Sequence, residues 1–417
     1  MIQHPCAHLL RVIKHPLFPI VITTVLLKLI LWTFINNDVS RFTTNDSQNY
    51  LLASQTFADT YSNSVKDQLS LLIAPGFPFL LMVLQVFFGI STISLILSLI
   101  PIFVAVILYP LFQTYFPKFA LIAASFILFE PVLFFESYYI LTDTFFLLLV
   151  AVSIRILVSL QKSPNLLLAT VLGFIVSFAC LNRSIVLYLP FAAFAYLVAF
   201  QRKFIKRLVP VLLVFVTICG AWILRNIHVY DVPVVSSVQY KNLINSEVAG
   251  MRALELRQSY AEVIQAEGKL STEMLRDDAT PREEYQYAQK RFIEVLKESP
   301  EFFILNHLRG AAGILFGNGS GTISNALTGS PPWVTNTIIA ISTAISTSSG
   351  LLFLLSLLYA LYRRLEIGDW ILFIVYFLLV SGGAVAYSRF RIPVIPLMVL
   401  IFFTSLKYAK DIKNVNS

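Results

Sequence analysis

An acid and an aromatic stand four residues apart in the first polar interval of this chain, at Asp46 and Tyr50, and the interval ends where Ala74-Pro75-Gly76-Phe77-Pro78 turns back into apolar sequence. A carboxylate so placed has two uses. As a general base it takes the proton of a hydroxyl nucleophile, a contribution of roughly 10² to 10⁴ in rate. As the N-cap of a helix over 47–58 it would accept amide hydrogen bonds instead. Spacing leaves both open. Arg183, Arg225, Arg389 and Arg391 stand at the ends of apolar runs, where a guanidinium can offer charge-assisted, often bidentate hydrogen bonds to a phosphate. Long cations at such positions also reach for the lipid headgroups with no further role. Asp143 opens another apolar run. It either complements that helix's N-terminus, worth about 0.3 to 1 kcal/mol, or is an ionisable group at the membrane edge. Glu136 reads the same way, more weakly. Lys28 lies inside an apolar run, where a charge costs about 2.5 to 3.5 kcal/mol, so it is expected to snorkel or pair within a bundle. His228 and His307 are isolated, and no spacing makes a metal site of them.

The elements that must position these groups are membrane helices. Of 417 residues 57% are hydrophobic and 13% charged, with a mean hydropathy of +0.76, against about 25% charged in soluble domains. Apolar runs cover 17–35, 90–115, 119–135, 141–160, 166–180, 185–200, 208–223, 338–362, 370–387 and 392–406. At about 20 residues per crossing these predict about ten spans in one all-α polytopic domain over 1–417. Lys and Arg fall on alternate connections: Arg11 and Lys14, Lys118, Arg155 and Lys162, Arg202, Lys203, Lys206 and Arg207, Arg363 and Arg364, and the tail. That alternation predicts cytoplasmic termini and puts the 37–89 loop, Asp143, Arg183 and Arg389 on the opposite face. It also accounts for the formal charge of +8 without nucleic acid, for which there is no motif. Cys6, Cys180 and Cys219 are scattered and read as small hydrophobes. No A-x-A pattern follows the first run, so an uncleaved first helix is expected.

The 225–334 segment differs in composition, being dense in charge of both signs, and reads as an extracytoplasmic helical region. Thr280-Pro281-Arg282-Glu283 has the form of a capping box with proline at the first helical position, and Ser299-Pro300 stops the run it opens. A further helix is expected over 248–267. The apolar stretch 300–316 suits a place in or near the interface, and 318–332, rich in Gly, Ser and Thr, reads as a flexible loop. Gly317-Asn318-Gly319-Ser320-Gly321 lacks the lysine and context of a phosphate loop.

Taken in order, Asp46-Ser47-Gln48-Asn49-Tyr50-Leu51-Leu52-Ala53, Ala74-Pro75-Gly76-Phe77-Pro78-Phe79-Leu80, Phe88-Gly89, Leu141-Thr142-Asp143, Leu181-Asn182-Arg183, Trp222-Ile223-Leu224-Arg225-Asn226 and Arg389-Phe390-Arg391-Ile392-Pro393-Val394-Ile395-Pro396 resemble the motif string of GT-C membrane glycosyltransferases. More narrowly they are similar to glycosyltransferase family 39, which includes protein O-mannosyltransferases and lipid A aminoarabinose transferases. The resemblance implies a catalytic base at Asp46 and a sugar donor on polyprenyl phosphate, with inversion at the anomeric carbon. It implies substrate-binding roles for Tyr50, Asp143, Arg183, Arg225, Arg389 and Arg391, and an acceptor that is a lipid, a glycan or a protein. Asp46-Ser47 departs from the Asp-Glu pair of many mannosyltransferases, which weakens a protein acceptor. A divalent metal is left open. The membrane expected from the short loops is a bacterial plasma membrane. A lipid or glycolipid transporter or flippase is the rival reading; it would place ionisable groups near the midplane and often carry internal repeats, and no repeat is found.

Overall fold

The computed structural model describes residues 15–36, 38–61, 68–201, 205–276, 278–363, 365 and 368–415. Arg11, Lys14, Arg202, Lys203, Arg364 and Cys6 lie outside them, as does part of the first polar loop. Every regular element described is helical, as expected of an apolar chain whose backbone must bond to itself in hydrocarbon. In chain order the principal helices are α1 (Phe18–Ile35), α2 (Asn45–Gln55), α3 (Gly76–Phe87), α4 (Ile90–Tyr115), α5 (Ala120–Phe129), α6 (Pro131–Glu136), α7 (Thr142–Lys162), α8 (Leu166–Asn182), α9 (Leu189–Phe200) and α10 (Ile205–Tyr230). They continue as α11 (Ala249–Leu256), α12 (Tyr260–Met274), α13 (Pro281–Glu298), α14 (Pro300–Phe316), α15 (Ser320–Ala326), α16 (Pro332–Tyr362), α17 (Gly368–Val380) and α18 (Ile395–Val415).

Among the described residues six helical stretches are long and apolar enough to cross a membrane: α1, α4, α7, α10, α16 and 388–411. Shorter apolar helices cover Gly76–Phe87, Pro117–Phe129, Leu166–Asn182, Ser184–Phe200 and Trp370–Val380. The chain is therefore an all-α, multi-spanning membrane protein. Two expected spans are shorter than their hydropathy suggests. The run 119–135 is divided at Glu130, which caps α6 by accepting a hydrogen bond from the Leu133 amide (2.6 Å) ahead of Pro131. The run 370–387 is helical only to Val380 and continues through a turn at Gly382 and Gly383. Within the bundle α8 packs along α10, α7 lies between α4 and α8, and α16 lies against α18.

The capping box at Thr280 opens α13, with Thr280 and Glu283 bonded reciprocally. The helix expected over 248–267 is two, broken at Arg257 (φ 54°) and restarted by a second capping box between Ser259 and Glu262. The glycine-rich stretch expected to be a flexible loop contains α15, which buries Ile323 and Ala326. Lys28 pairs inside the bundle: its Nζ donates to the Phe134 carbonyl (2.9 Å) and to Ser137 Oγ (2.6 Å) and lies over the Phe134 and Tyr138 rings.

One polar tie joins four elements. Arg391, 1% exposed, donates from Nη2 to Glu130 Oε1 (2.6 Å) and Ser346 Oγ (3.0 Å). Its Nη1 donates to the carbonyls of Ile314, Leu315 and Gly317, at 2.9 to 3.1 Å, closing the C-terminus of α14. Removing one member of a buried pair strands the other charge, at about 3–5 kcal/mol. Arg391→Leu is therefore expected to lower the unfolding midpoint in detergent sharply. The double variant Arg391→Leu/Glu130→Leu should recover part of that loss, and a single variant as stable as the wild type would contradict the assignment.

Candidate active site

The helix carrying Asp46 does not use it as a cap. Thr44 is the N-cap of α2, its Oγ1 accepting from the Ser47 amide while the Ser47 hydroxyl accepts from the Thr44 amide. The reading of Asp46 as N-cap of a helix over 47–58 is thus corrected: Asp46 sits inside the first turn, and its carboxylate is 58% exposed. One turn on, Tyr50 packs its ring edge against Phe77 of α3 at 5.2 Å. That contact ties the acid's helix to the proline-rich return. Gly76 in turn lies so close to the end of α8 that a Cβ there would stand 2.7 Å from the Leu181 carbonyl.

The end of α8 meets the start of α7. Asp143, 2% exposed in the first turn of α7, forms an ion pair with Arg183, the C-cap residue of α8, and Asn182 Nδ2 donates to the Thr142 carbonyl (3.4 Å). Arg183 also lies over the Phe390 ring at 5.2 Å. Arg389 also lies over Phe390 (5.5 Å) and over Tyr387 (4.8 Å). Its Nη2 is 3.5 Å from Asp46 Oδ2, with the arginine side chain 18% exposed. At that distance the pair is ionic and not a strong hydrogen bond. The Arg389 Nε is buried and has no hydrogen-bond partner among the described residues.

The charged neighbours of Arg389 are Asp143, Glu136 and Asp46. Glu136, at the C-terminal end of α6, is 4% exposed and accepts a hydrogen bond from the Thr322 hydroxyl (2.7 Å) on α15. Burial pushes its carboxyl up to about 7, and the charge of Asp143 adds to the rise. Burial also pushes the Tyr50 hydroxyl up to about 12, with Asp46 adding and Arg183 opposing. The Tyr387 hydroxyl goes to about 12 for the same first reason, against the pull of Arg389.

Five of the residues singled out in the sequence therefore meet: Asp46, Tyr50, Asp143, Arg183 and Arg389. Two do not. The Nη1 and Nη2 donors of Arg391 are taken by Glu130, Ser346 and the α14 carbonyls, so its geometry is that of a structural anchor. Arg225 bonds Asn226 (3.0 Å) and Ser70 (3.1 Å) and lies over Trp222 and Tyr230, securing the far end of the first loop. Tyr387 was hidden in what reads as a span, and Phe390 carried no charge to draw notice. Glu136 was legible only as an acid at a helix end. Among the described residues no three His, Cys, Asp or Glu side chains converge as metal ligands.

Compared with family models, curated proteins and solved structures, the chain matches none.

Glu136 gives the site a pH signature. A carboxyl whose folded value lies above its free value of 4.5 stabilises the fold below that free value and loses the contribution as pH rises through about 7. Stability in detergent should decline by at most about 3 kcal/mol across that window. Glu136→Gln, which keeps an acceptor for Thr322, should flatten the decline; an unchanged decline in the variant would contradict the assignment.

Proposed function

We propose that this protein is an integral-membrane glycosyltransferase of the GT-C type, moving a sugar from a polyprenyl-phosphate donor to a hydroxyl on a lipid, glycan or protein. The observation that carries the reading is Arg389. Its guanidinium is largely buried, its Nε lacks a partner among the described residues, and it stands beside an accessible carboxylate. A desolvated cation with open donors is suited to an anion that arrives with the substrate, and an exposed acid next to it is suited to a proton that leaves with the acceptor.

The roles follow from the two exposures. The acceptor oxygen attacks the anomeric carbon from the side opposite the phosphate, giving inversion, and its proton passes to Asp46, which is open enough to release it to water. The bond between the anomeric carbon and the phosphate oxygen breaks with its electron pair on oxygen. The second negative charge that develops on the lipid phosphate is met by Arg389, a fixed donor aimed at charge that grows in the transition state. Arg183 is already balanced by Asp143, so its part is to hold Phe390 and the stacked Arg389 in place. The alternation of Lys and Arg along the chain supports a site on the extracytoplasmic face with cytoplasmic termini, and the short loops suit a bacterial plasma membrane.

With a labelled polyprenyl-phosphate sugar and membranes containing the protein, Asp46→Asn should abolish transfer, a loss of at least roughly 10² to 10⁴, while the protein stays folded and inserted. Arg389→Gln should raise KM for the donor and lower kcat as well, because the charge it meets is present in the ground state and grows afterwards. Full transfer by Asp46→Asn would sink the assignment. Movement of the lipid-linked sugar across reconstituted vesicles with Asp46 dispensable would favour a flippase.

A further inference from the structure

Arg389 is delivered by a non-helical run, 381–387, that turns between Gly383 and Ala386 before a 3-10 helix opens at Ser388. The run lies along α14 on a track of small residues. A Cβ built on Gly310 would stand 2.5 Å from the Gly383 nitrogen, and one on Gly313 would stand 2.7 Å from the Ala386 carbonyl oxygen. Its other side rests on a π-helical turn, Leu243–Val248, a rare backbone form that is frequently found at functional sites. The Ala384 amide donates to the Ser246 carbonyl (3.3 Å). Gly383 adopts φ 100°, and a Cβ there would come within 2.4 Å of Ser246 Oγ and 2.8 Å of Glu247 Oε1.

Glu247 is itself held. Its Oε2 accepts from Asn306 Nδ2 (3.3 Å) and lies 3.7 Å from His307 Nδ1. Asn306 is fully buried and also donates to the Ser246 carbonyl (3.1 Å). The His307 ring is fixed by Phe303, at 4.2 Å between ring centroids, and by the Phe303 carbonyl at 3.0 Å from Nδ1. A Cβ on Gly382 would touch His307 Cδ2 at 2.6 Å. The carboxylate and the imidazole thus grip two successive glycines, six and seven residues before Arg389, from two different helical elements.

We infer that Glu247, braced by Asn306 and His307, is a positioning residue for Arg389: it fixes Gly383 at the head of the run that carries the guanidinium to Asp46. The inference rests on Arg389 as the ligand of the donor phosphate. Arg391 holds the run downstream of Arg389, and Glu247 holds it upstream. A group pinned on both sides keeps its place without a hydrogen bond of its own, which is what an open binding cation requires.

The test pairs hydrogen exchange with steady-state kinetics on the full chain in nanodiscs. In Glu247→Ala the amides of 382–389 should exchange roughly tenfold faster, as local opening is eased. KM for a polyprenyl-phosphate sugar should rise roughly tenfold and kcat should fall with it, the pattern expected of Arg389→Gln in weaker form. Glu247→Gln, which keeps the shape and an acceptor for Asn306, should restore most of both. Gly383→Ala, strained at its φ and crowded by Glu247, should reproduce the KM defect. Unchanged exchange over 382–389 in Glu247→Ala would overturn the inference, as would a fall in kcat with KM intact. If the wild type transfers no sugar, the reading of the site fails, and the exchange arm still decides the buttress: faster exchange supports it and unchanged exchange overturns it.

Discussion

The buried pair between Arg391 and Glu130 is the constraint on which the rest of this structure depends. Neither charge has access to water, so each must find its partner inside the bundle, and the geometry that satisfies both brings together the cap of α6, the end of α14, Ser346 of α16 and the turn that opens the last span. Burial of an ion pair is a poor source of net stability but a strong source of specificity, because any arrangement that separates the charges is heavily disfavoured. That register is what places Arg389, two residues earlier on a tight 3-10 turn, on the side facing Asp46.

The site is therefore built from helix ends. Asp46 opens α2, Asp143 opens α7, Arg183 closes α8 and Glu136 closes α6, and each is brought in by packing that its own helix makes elsewhere. Two cations share Phe390 as a common plate, one paired closely with Asp143 and the other more loosely with Asp46, its Nε without a hydrogen-bond partner among the described residues. Three acids and two arginines meet in the cluster, and the pairing of Arg183 with Asp143 and of Arg389 with Asp46 offsets like charges that would be costly in a poorly solvated place.

Much of this was legible in the sequence, for physical reasons that can be named. Apolar runs must become helices in a bilayer, and acids and arginines at their ends must lie near an interface, so Asp46, Asp143, Arg183 and Arg389 could be grouped before any coordinates. Arg391 could not be told from Arg389, since two arginines separated by one residue have the same hydropathy and the same position at a span end. Only the register of the turn assigns one to the core and the other to the site. The N-cap was misplaced by two residues because Thr44 and Asp46 are both good caps, and the Ser47 hydroxyl decided between them. The Val380 end of α17 was hidden by residues that remain apolar or small up to Tyr387. His307 looked solitary because its partner, Glu247, is remote in sequence and meets it only when α14 packs beside the π-turn.

The central claim is that the open guanidinium of Arg389 is the seat of a lipid phosphate beside Asp46. The most direct measurement is a cryo-electron-microscopy structure in nanodiscs loaded with polyprenyl phosphate. The account predicts density for the phosphate within hydrogen-bond distance of Arg389, with Arg391 still on Glu130. A phosphate bound elsewhere with Arg389 bonded to protein groups, or Arg391 released from Glu130 to hold it, would contradict the account.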